Sequence, residues 1–257
     1  MIPGPVLAAF GLTGSPERLP GGEETSVVVD GVVLKPAFDP ALADWCQRLA
    51  DAVDTDRLQV PAPVAASDGR FVVEGWTATR FVPGLRSLRG QPETVVALDP
   101  AVTEAFTAAA DTLPPLPART DRWARWVDAA LDGSAPGLRD DAQDVLRRLR
   151  EHTGPPPRRT HVVHGDLTGN SFRDGTGNPL VLDLSPYQAP AGFGAAVVVA
   201  DHLLWHDGSA DLVGSVDPDL LARALVFRLV AEQLATDPRH GARLGDYERP
   251  ITLLASR

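Results

Sequence analysis

The sequence predicts an α+β fold: a small antiparallel sheet with one helix in the first third, then a mainly helical remainder that carries one polar hairpin. Three observations lead there. Valine-rich runs at residues 25–29 and 32–35 flank Asp30-Gly31, and Asp-Gly between apolar runs is a strong hairpin signal because both turn positions tolerate positive φ. From Pro92 onward, apolar residues recur at helical spacing in stretches separated by proline-rich connectors. Between those stretches, residues 171–173 and 180–183 bracket the dense turn Asp174-Gly175-Thr176-Gly177-Asn178-Pro179.

Each element follows from local chemistry. Arg18-Leu19-Pro20 leads into Gly21-Gly22, a glycine pair at an early strand turn that would let backbone amides approach a phosphate. Residues 40–53 place Leu42, Trp45, Leu49 and Val53 on one helical face, with Pro40 at the start. Residues 60–64, 71–73 and 75–81 read as strands, the last ending at Val82-Pro83-Gly84, a stop and a hinge. Helices are expected over residues 101–113, 121–131, 140–151, 195–205 and 217–234. The division that results is a sheet lobe of residues 1–84, hinge included, and a helical lobe of residues 85–257. The five tryptophans (Trp45, Trp76, Trp123, Trp126 and Trp205) are expected to anchor the core.

Composition narrows the function. The chain has 257 residues, 44% of them hydrophobic, and a net charge of −10. That balance argues against a nucleic-acid or anionic-membrane partner and is compatible with a cationic small molecule. A single cysteine, Cys46, excludes an internal disulfide and a cysteine-rich metal site. Residues 1–10 lack the basic start and long apolar core of a signal peptide, and no apolar run reaches the ~18 residues of a membrane span, so a cytoplasmic protein is expected. Of the 24 basic residues, Lys35 is the one lysine. A position that keeps lysine in so arginine-rich a chain points to a need for a compact ammonium.

The chemistry concentrates in His164-Gly165-Asp166-Leu167-Thr168-Gly169-Asn170 and the later Asp183. Residues 166–170 read as a loop entering the hairpin. Asn170 and Asp183 stand nearly equidistant from Thr176, and residues opposite each other in an antiparallel pair lie roughly 5 Å apart at Cβ. An amide oxygen and a carboxylate are hard ligands suited to Mg²⁺ on a nucleotide, with Asp166 close by as a base.

With these residues in this order, the chain resembles the aminoglycoside phosphotransferase group of kinase-like small-molecule phosphotransferases, relatives of choline and fructosamine kinases. The resemblance implies a two-lobed protein-kinase-like fold and ATP- or GTP-dependent transfer of the γ-phosphoryl group to a hydroxyl of a small molecule. It implies Asp166 as catalytic base, Asn170 and Asp183 as Mg²⁺ ligands, and Lys35 on the α- and β-phosphates. Arg80, Phe81 and Val82 would meet the adenine, and Asp201 would support the catalytic loop. Three features depart from the family pattern. Three residues rather than four separate Asp166 from Asn170. Residues 36–64 contain no glutamate to pair with Lys35, leaving Asp44 and Asp51 as the available acids. Leu184-Ser185-Pro186-Tyr187 replaces the usual aromatic-acidic pairing after the metal aspartate. These departures define the alternative, a kinase-like protein that binds nucleotide or a partner with weak or no catalysis. A two-metal phosphoesterase would need further histidine clusters, which six scattered histidines do not supply.

Overall fold

A computed structural model of the chain describes residues 2–19, 25–56, 58–119, 122–134, 137–206, 208–234 and 243–257. It is α+β, as expected. The chain divides into two compact units, one of Met1–Arg86, Ala105–Pro117 and Phe172–Leu184, the other of Ser87–Glu104, Ala118–Ser171 and Ser185–Arg257.

The first unit begins with α1 (Gly4–Ala9), β1 (Glu17–Arg18), β2 (Val27–Val29), β3 (Val32–Pro36), α2 (Pro40–Ala52), β4 (Val72–Val73) and β5 (Trp76–Arg80). Its sheet has the order β1-β2-β3-β5-β4 and every pairing is antiparallel. Asp30 and Gly31 turn β2 into β3 with φ of 51° and 73°, the double positive φ of a type I′ turn. The Asp30 carboxylate also accepts the Thr13 and Gly14 N–H groups at 2.9 Å each, which holds its pKa below the ordinary value. Val29, Val32, Leu34, Val73 and Ala78 bury one sheet face with Val6, Phe10 and Leu12. Lys35 therefore falls on the other face by strand alternation. Helix α2 starts where expected: Asp39 accepts Ala41 and Leu42 N–H at 3.0 and 3.1 Å, Pro40 fills the first turn, and Trp45 and Leu49 are buried.

Residues 60–64 do not form the expected strand. Pro61 and Pro63 have no N–H to donate to a ladder, so the segment makes one isolated bridge, Pro63 to Thr79, flanked by Arg80 N–H to Ala62 and Val64 N–H to Ala78. Helix α1 carries no periodic pattern long enough to announce it.

The chain continues through β6 (Arg86–Ser87), α3 (Pro92–Ala110), α4 (Arg122–Asp132), α5 (Asp140–Arg150), β7 (His161–His164), α6 (Leu167–Asn170), β8 (Ser171–Arg173), β9 (Pro179–Val181), β10 (Pro186–Ala189), α7 (Phe193–Trp205), α8 (Pro218–Leu234) and α9 (Glu248–Ala255). Helix α3 begins well before the expected residue 101 and runs through Pro100. That proline is exposed, so the carbonyl it leaves without a helical donor can reach water. In the second unit α7 is buried from Phe193 to Leu204, apolar on every side except at Asp201 and His202, as a core position favours. Helix α8 packs against α4, α5 and α7. Among the described residues no helix is long and apolar enough to cross a membrane.

Arg223 ties this helical core together. Its buried guanidinium donates to the carbonyls of Ala130 and Leu131 at the end of α4, to those of Gly154 and Pro155, and to Asp219 at 2.8 Å. Arg223→Ala strands these acceptors and is expected to cost about 3–5 kcal/mol, read by denaturant unfolding. A loss below ~1 kcal/mol would contradict this reading of the guanidinium.

Candidate active site

In the second unit, β7 and β10 pair antiparallel with Pro186 opposite His164, and Gly165 N–H extends the ladder to the Ser185 carbonyl at 2.9 Å. Gly165 has to be glycine here, because a Cβ would overlap the Tyr187 ring. This is what the unusual Ser185-Pro186-Tyr187 run builds: a buried tyrosine against the glycine that precedes Asp166.

Asp166 then leaves the strand with φ −151° and ψ 59°. Its N–H donates to His164 Nδ1 at 3.1 Å, so a neutral His164 ring carries its proton on Nε2. His164 is fully buried and acts as packing for the turn. The expected loop over residues 166–170 is instead one helical turn, α6. The three-residue spacing sets Asp166 and Asn170 four apart, one turn of helix. Asn170 Nδ2 accordingly reaches back to the Asp166 carbonyl at 2.8 Å and to its Oδ2 at 3.2 Å. The short loop keeps amide and carboxylate together.

In the first unit, Lys35 Nζ meets Asp183 Oδ1 at 2.7 Å. Neither Asp44 nor Asp51 takes this role: Asp44 is bound to Arg48 at 2.7 Å, and Asp51 is exposed. Asp183 adopts a left-handed backbone, φ 45°, a conformation that aspartate tolerates better than most residues. The two side chains are 41% and 50% exposed, so the pair adds only about 0.2–1 kcal/mol to stability. A ligand can therefore separate it cheaply. Thus Asp166 meets Asn170 in one unit and Lys35 meets Asp183 in the other.

Of the three residues expected to meet the adenine, Arg80 lies at the far end of the same ladder, and Phe81 and Val82 follow it. Lys35 pairs with Thr77 and Val32 with Arg80, a separation of three residues or about 10 Å along the strand. Phe81 is 41% exposed, and its N–H is committed to the Gly31 carbonyl at 2.9 Å. Gly21 and Gly22 lie outside the described residues. Trp45 and Trp126 are buried as core anchors, while Trp76 and Trp205 are partly buried; the Trp123 side chain lies outside the description.

No protein-family model matches the sequence, nor does any curated protein. Solved structures do match over nearly the whole chain. A choline kinase, LicA, from Streptococcus pneumoniae is 11% identical with a TM-score of 0.56, over 98% of this chain and 97% of that one. LicA has also been solved in complex with AMP. An aminoglycoside phosphotransferase from Alicyclobacillus acidocaldarius is 16% identical with a TM-score of 0.59, covering 100% and 95%. A choline/ethanolamine kinase family protein from Mesorhizobium loti is 18% identical with a TM-score of 0.50, covering 97% and 90%.

The fold is that of the aminoglycoside phosphotransferase-like kinases.

Within this kinase fold, Asp201, already expected to support the loop, and two residues that sequence reading passed over complete the second unit's polar centre. Asp201 on α7 accepts the Thr168 hydroxyl at 2.7 Å, so the loop is supported through a side chain. Its partner is Arg228 on α8, at 2.5 and 2.7 Å. Burial opposes the Arg228 charge, yet the Asp201 carboxylate beside it holds its pKa above the ordinary value. The third is Asp99 of α3, buried to 1% exposure. It faces Gly194, where a Cβ would overlap its carboxylate and sit 2.9 Å from the His164 carbonyl. Other acids of the helical unit have structural partners: Asp217 caps α8, Asp219 holds Arg223 and Asp211 bonds Ser209.

Burial pushes the Asp99 carboxyl up from 3.8 to about 6, against a smaller opposing effect of the Ala195 N–H. The folded protein thus keeps a proton that the unfolded chain loses as pH rises from about 4 to 6, and stability falls across that window. Asp99→Asn is expected to match the wild type near pH 4 and to exceed it by up to about 3 kcal/mol at pH 7. Denaturant melts at the two pH values check this. An equal difference at both would contradict it.

Proposed function

We propose that the protein is a Mg²⁺-dependent phosphotransferase that moves the terminal phosphoryl group of ATP or GTP to a hydroxyl of a small molecule. The observation that carries this reading is the Lys35–Asp183 pair, in which the chain's one lysine meets a carboxylate 148 residues away at 2.7 Å. The pair contributes little to stability and is open to solvent, as a phosphate-binding ammonium and a metal-binding carboxylate need to be. The fold's neighbours support it, being choline kinases and an aminoglycoside phosphotransferase, one of them seen with AMP.

The residues suit Mg²⁺ chemically. Asp183 offers a half-exposed carboxylate. Asn170 has its Nδ2 engaged by Asp166, which leaves its amide oxygen as the ligating atom. Both are hard oxygen donors, and Mg²⁺ commonly takes one or two protein oxygens beside substrate phosphates. When bound, the ion would neutralise charge on the transferring phosphoryl group.

In this reading Lys35 leaves Asp183 for the nucleotide phosphates, and the backbone of residues 80–82 borders the base. Asp166 accepts the proton of the attacking hydroxyl. Its side chain is 51% exposed, so a substrate oxygen can come within hydrogen-bond reach. The contact between Asp166 and Asn170 survives the shortened loop, which favours a working enzyme over a non-catalytic nucleotide binder. The acidic surface favours a neutral or cationic acceptor over nucleic acid or membrane.

Titration calorimetry with ATP, with and without Mg²⁺, tests the nucleotide site. Asp183→Ala is expected to lose the Mg²⁺-dependent gain in affinity, and an unchanged gain would remove Asp183 from the metal site. Asp166→Asn is expected to lower turnover by about 10²–10⁴ while binding ATP as the wild type does. Turnover within twofold of wild type would exclude Asp166 as the base.

A further inference from the structure

Arg228 does more than neutralise Asp201. Its Nε and Nη2 bind Asp201 Oδ1 and Oδ2 at 2.5 and 2.7 Å, and the same Nη2 lies 3.6 Å from Asp166 Oδ1. The guanidinium is held over the Phe227 ring, 4.7 Å from its centroid, and over Trp205 at 5.4 Å. Asp201 Oδ2 meanwhile receives the Thr168 hydroxyl at 2.7 Å. Both ends of the segment from Asp166 to Thr168 therefore refer to one buried ion pair, Asp166 through charge and Thr168 through a hydrogen bond.

We propose that Arg228 is a positioning residue, fixing the Asp166 carboxylate and the α6 turn through its ion pair with Asp201. Its catalytic consequence rests on the phosphotransfer reading above; its structural consequence does not. The Asp166 carboxylate is gripped from two sides, Oδ1 by Arg228 at 3.6 Å and Oδ2 by Asn170 Nδ2 at 3.2 Å. The Asp166 backbone is pinned as well, by its N–H on His164 Nδ1. A carboxylate held this way presents its remaining lone pairs in one direction, and misplacement by about 1 Å is enough to cost ~10²-fold in rate. An ion pair that served packing alone is often replaceable by apolar side chains without loss. The contact with a half-exposed acid is what apolar packing could not reproduce.

The geometry also separates two substitutions. Arg228→Lys keeps a positive charge near Asp166 but cannot chelate both Asp201 oxygens with a planar fork. Arg228→Gln removes the charge altogether. Amide hydrogen exchange of the two variants, with phosphotransfer kinetics beside it, tests the assignment. In Arg228→Gln, exchange across residues 164–170 is expected to accelerate at least about tenfold, while β2, β3 and β5 keep wild-type rates. The catalytic rate is expected to fall about 10²-fold with KM for the nucleotide within about threefold. Arg228→Lys is expected to fall between wild type and Arg228→Gln on both measures, and it carries the test if the glutamine variant does not fold. Unchanged exchange over residues 164–170 in the folded variants would overturn the proposal. So would a uniform acceleration through α7 and α8, or a fall in rate no larger than the fraction of unfolded protein. A wild type that transfers no phosphoryl group counts against the kinase reading alone, and the exchange data then decide the role of Arg228.

Discussion

The carboxylate of Asp201 is the fixed point of the helical unit. It sits on α7, a helix buried along almost its whole length, where an ionised acid is stable only with a charge partner and filled hydrogen bonds. Arg228 supplies the charge in bidentate form and Thr168 supplies a hydroxyl. From that requirement the rest follows: α8 must approach α7 closely enough for the guanidinium to reach, and α6 must turn so that Thr168 faces inward. Asp166 and Asn170 are the two polar residues that the turn then leaves facing each other. Removing one partner of such a pair leaves an uncompensated buried charge, a penalty of about 3–5 kcal/mol.

The second ion pair has the opposite character. Lys35 and Asp183 are close to half exposed, so water screens them and their mutual attraction contributes little to folding. One pair is costly to break and sets a turn; the other is cheap to break and presents two opposite charges to solvent. That contrast fits a division between scaffold and ligand contact. The left-handed backbone at Asp183 agrees with it, since unusual conformations cluster where a side chain has to be aimed.

Much of this was legible in the sequence because it is local. The Asp30-Gly31 turn, the proline start of α2 and the dense turn at residues 174–179 are read from short-range chemistry, and all three form. The lone lysine and Asp183 were both singled out from sequence, and they meet. What escaped was set by distant packing. Arg228 lies in an apolar helical stretch where nothing local marks it as the partner of Asp201. Asp99 precedes a proline that reads as a helix break, and only an exposed Pro100 makes a continuous α3 tolerable. The resemblance implies an acid of α2 beside Lys35, but Asp44 is captured by Arg48 one turn away. Residues 167–170 form a helical turn because the shortened spacing from Asp166 to Asn170 matches one.

Phosphoryl transfer is read most directly by phosphorus NMR of the wild-type protein with Mg·ATP and a panel of small hydroxyl compounds, cationic amino-alcohols and aminoglycosides among them. The prediction is ADP formed in step with a new phosphate-monoester resonance for at least one acceptor, with both signals lost when Mg²⁺ is chelated. An ATP spectrum unchanged with every acceptor, from a protein that also fails to bind the nucleotide, would contradict a phosphotransferase.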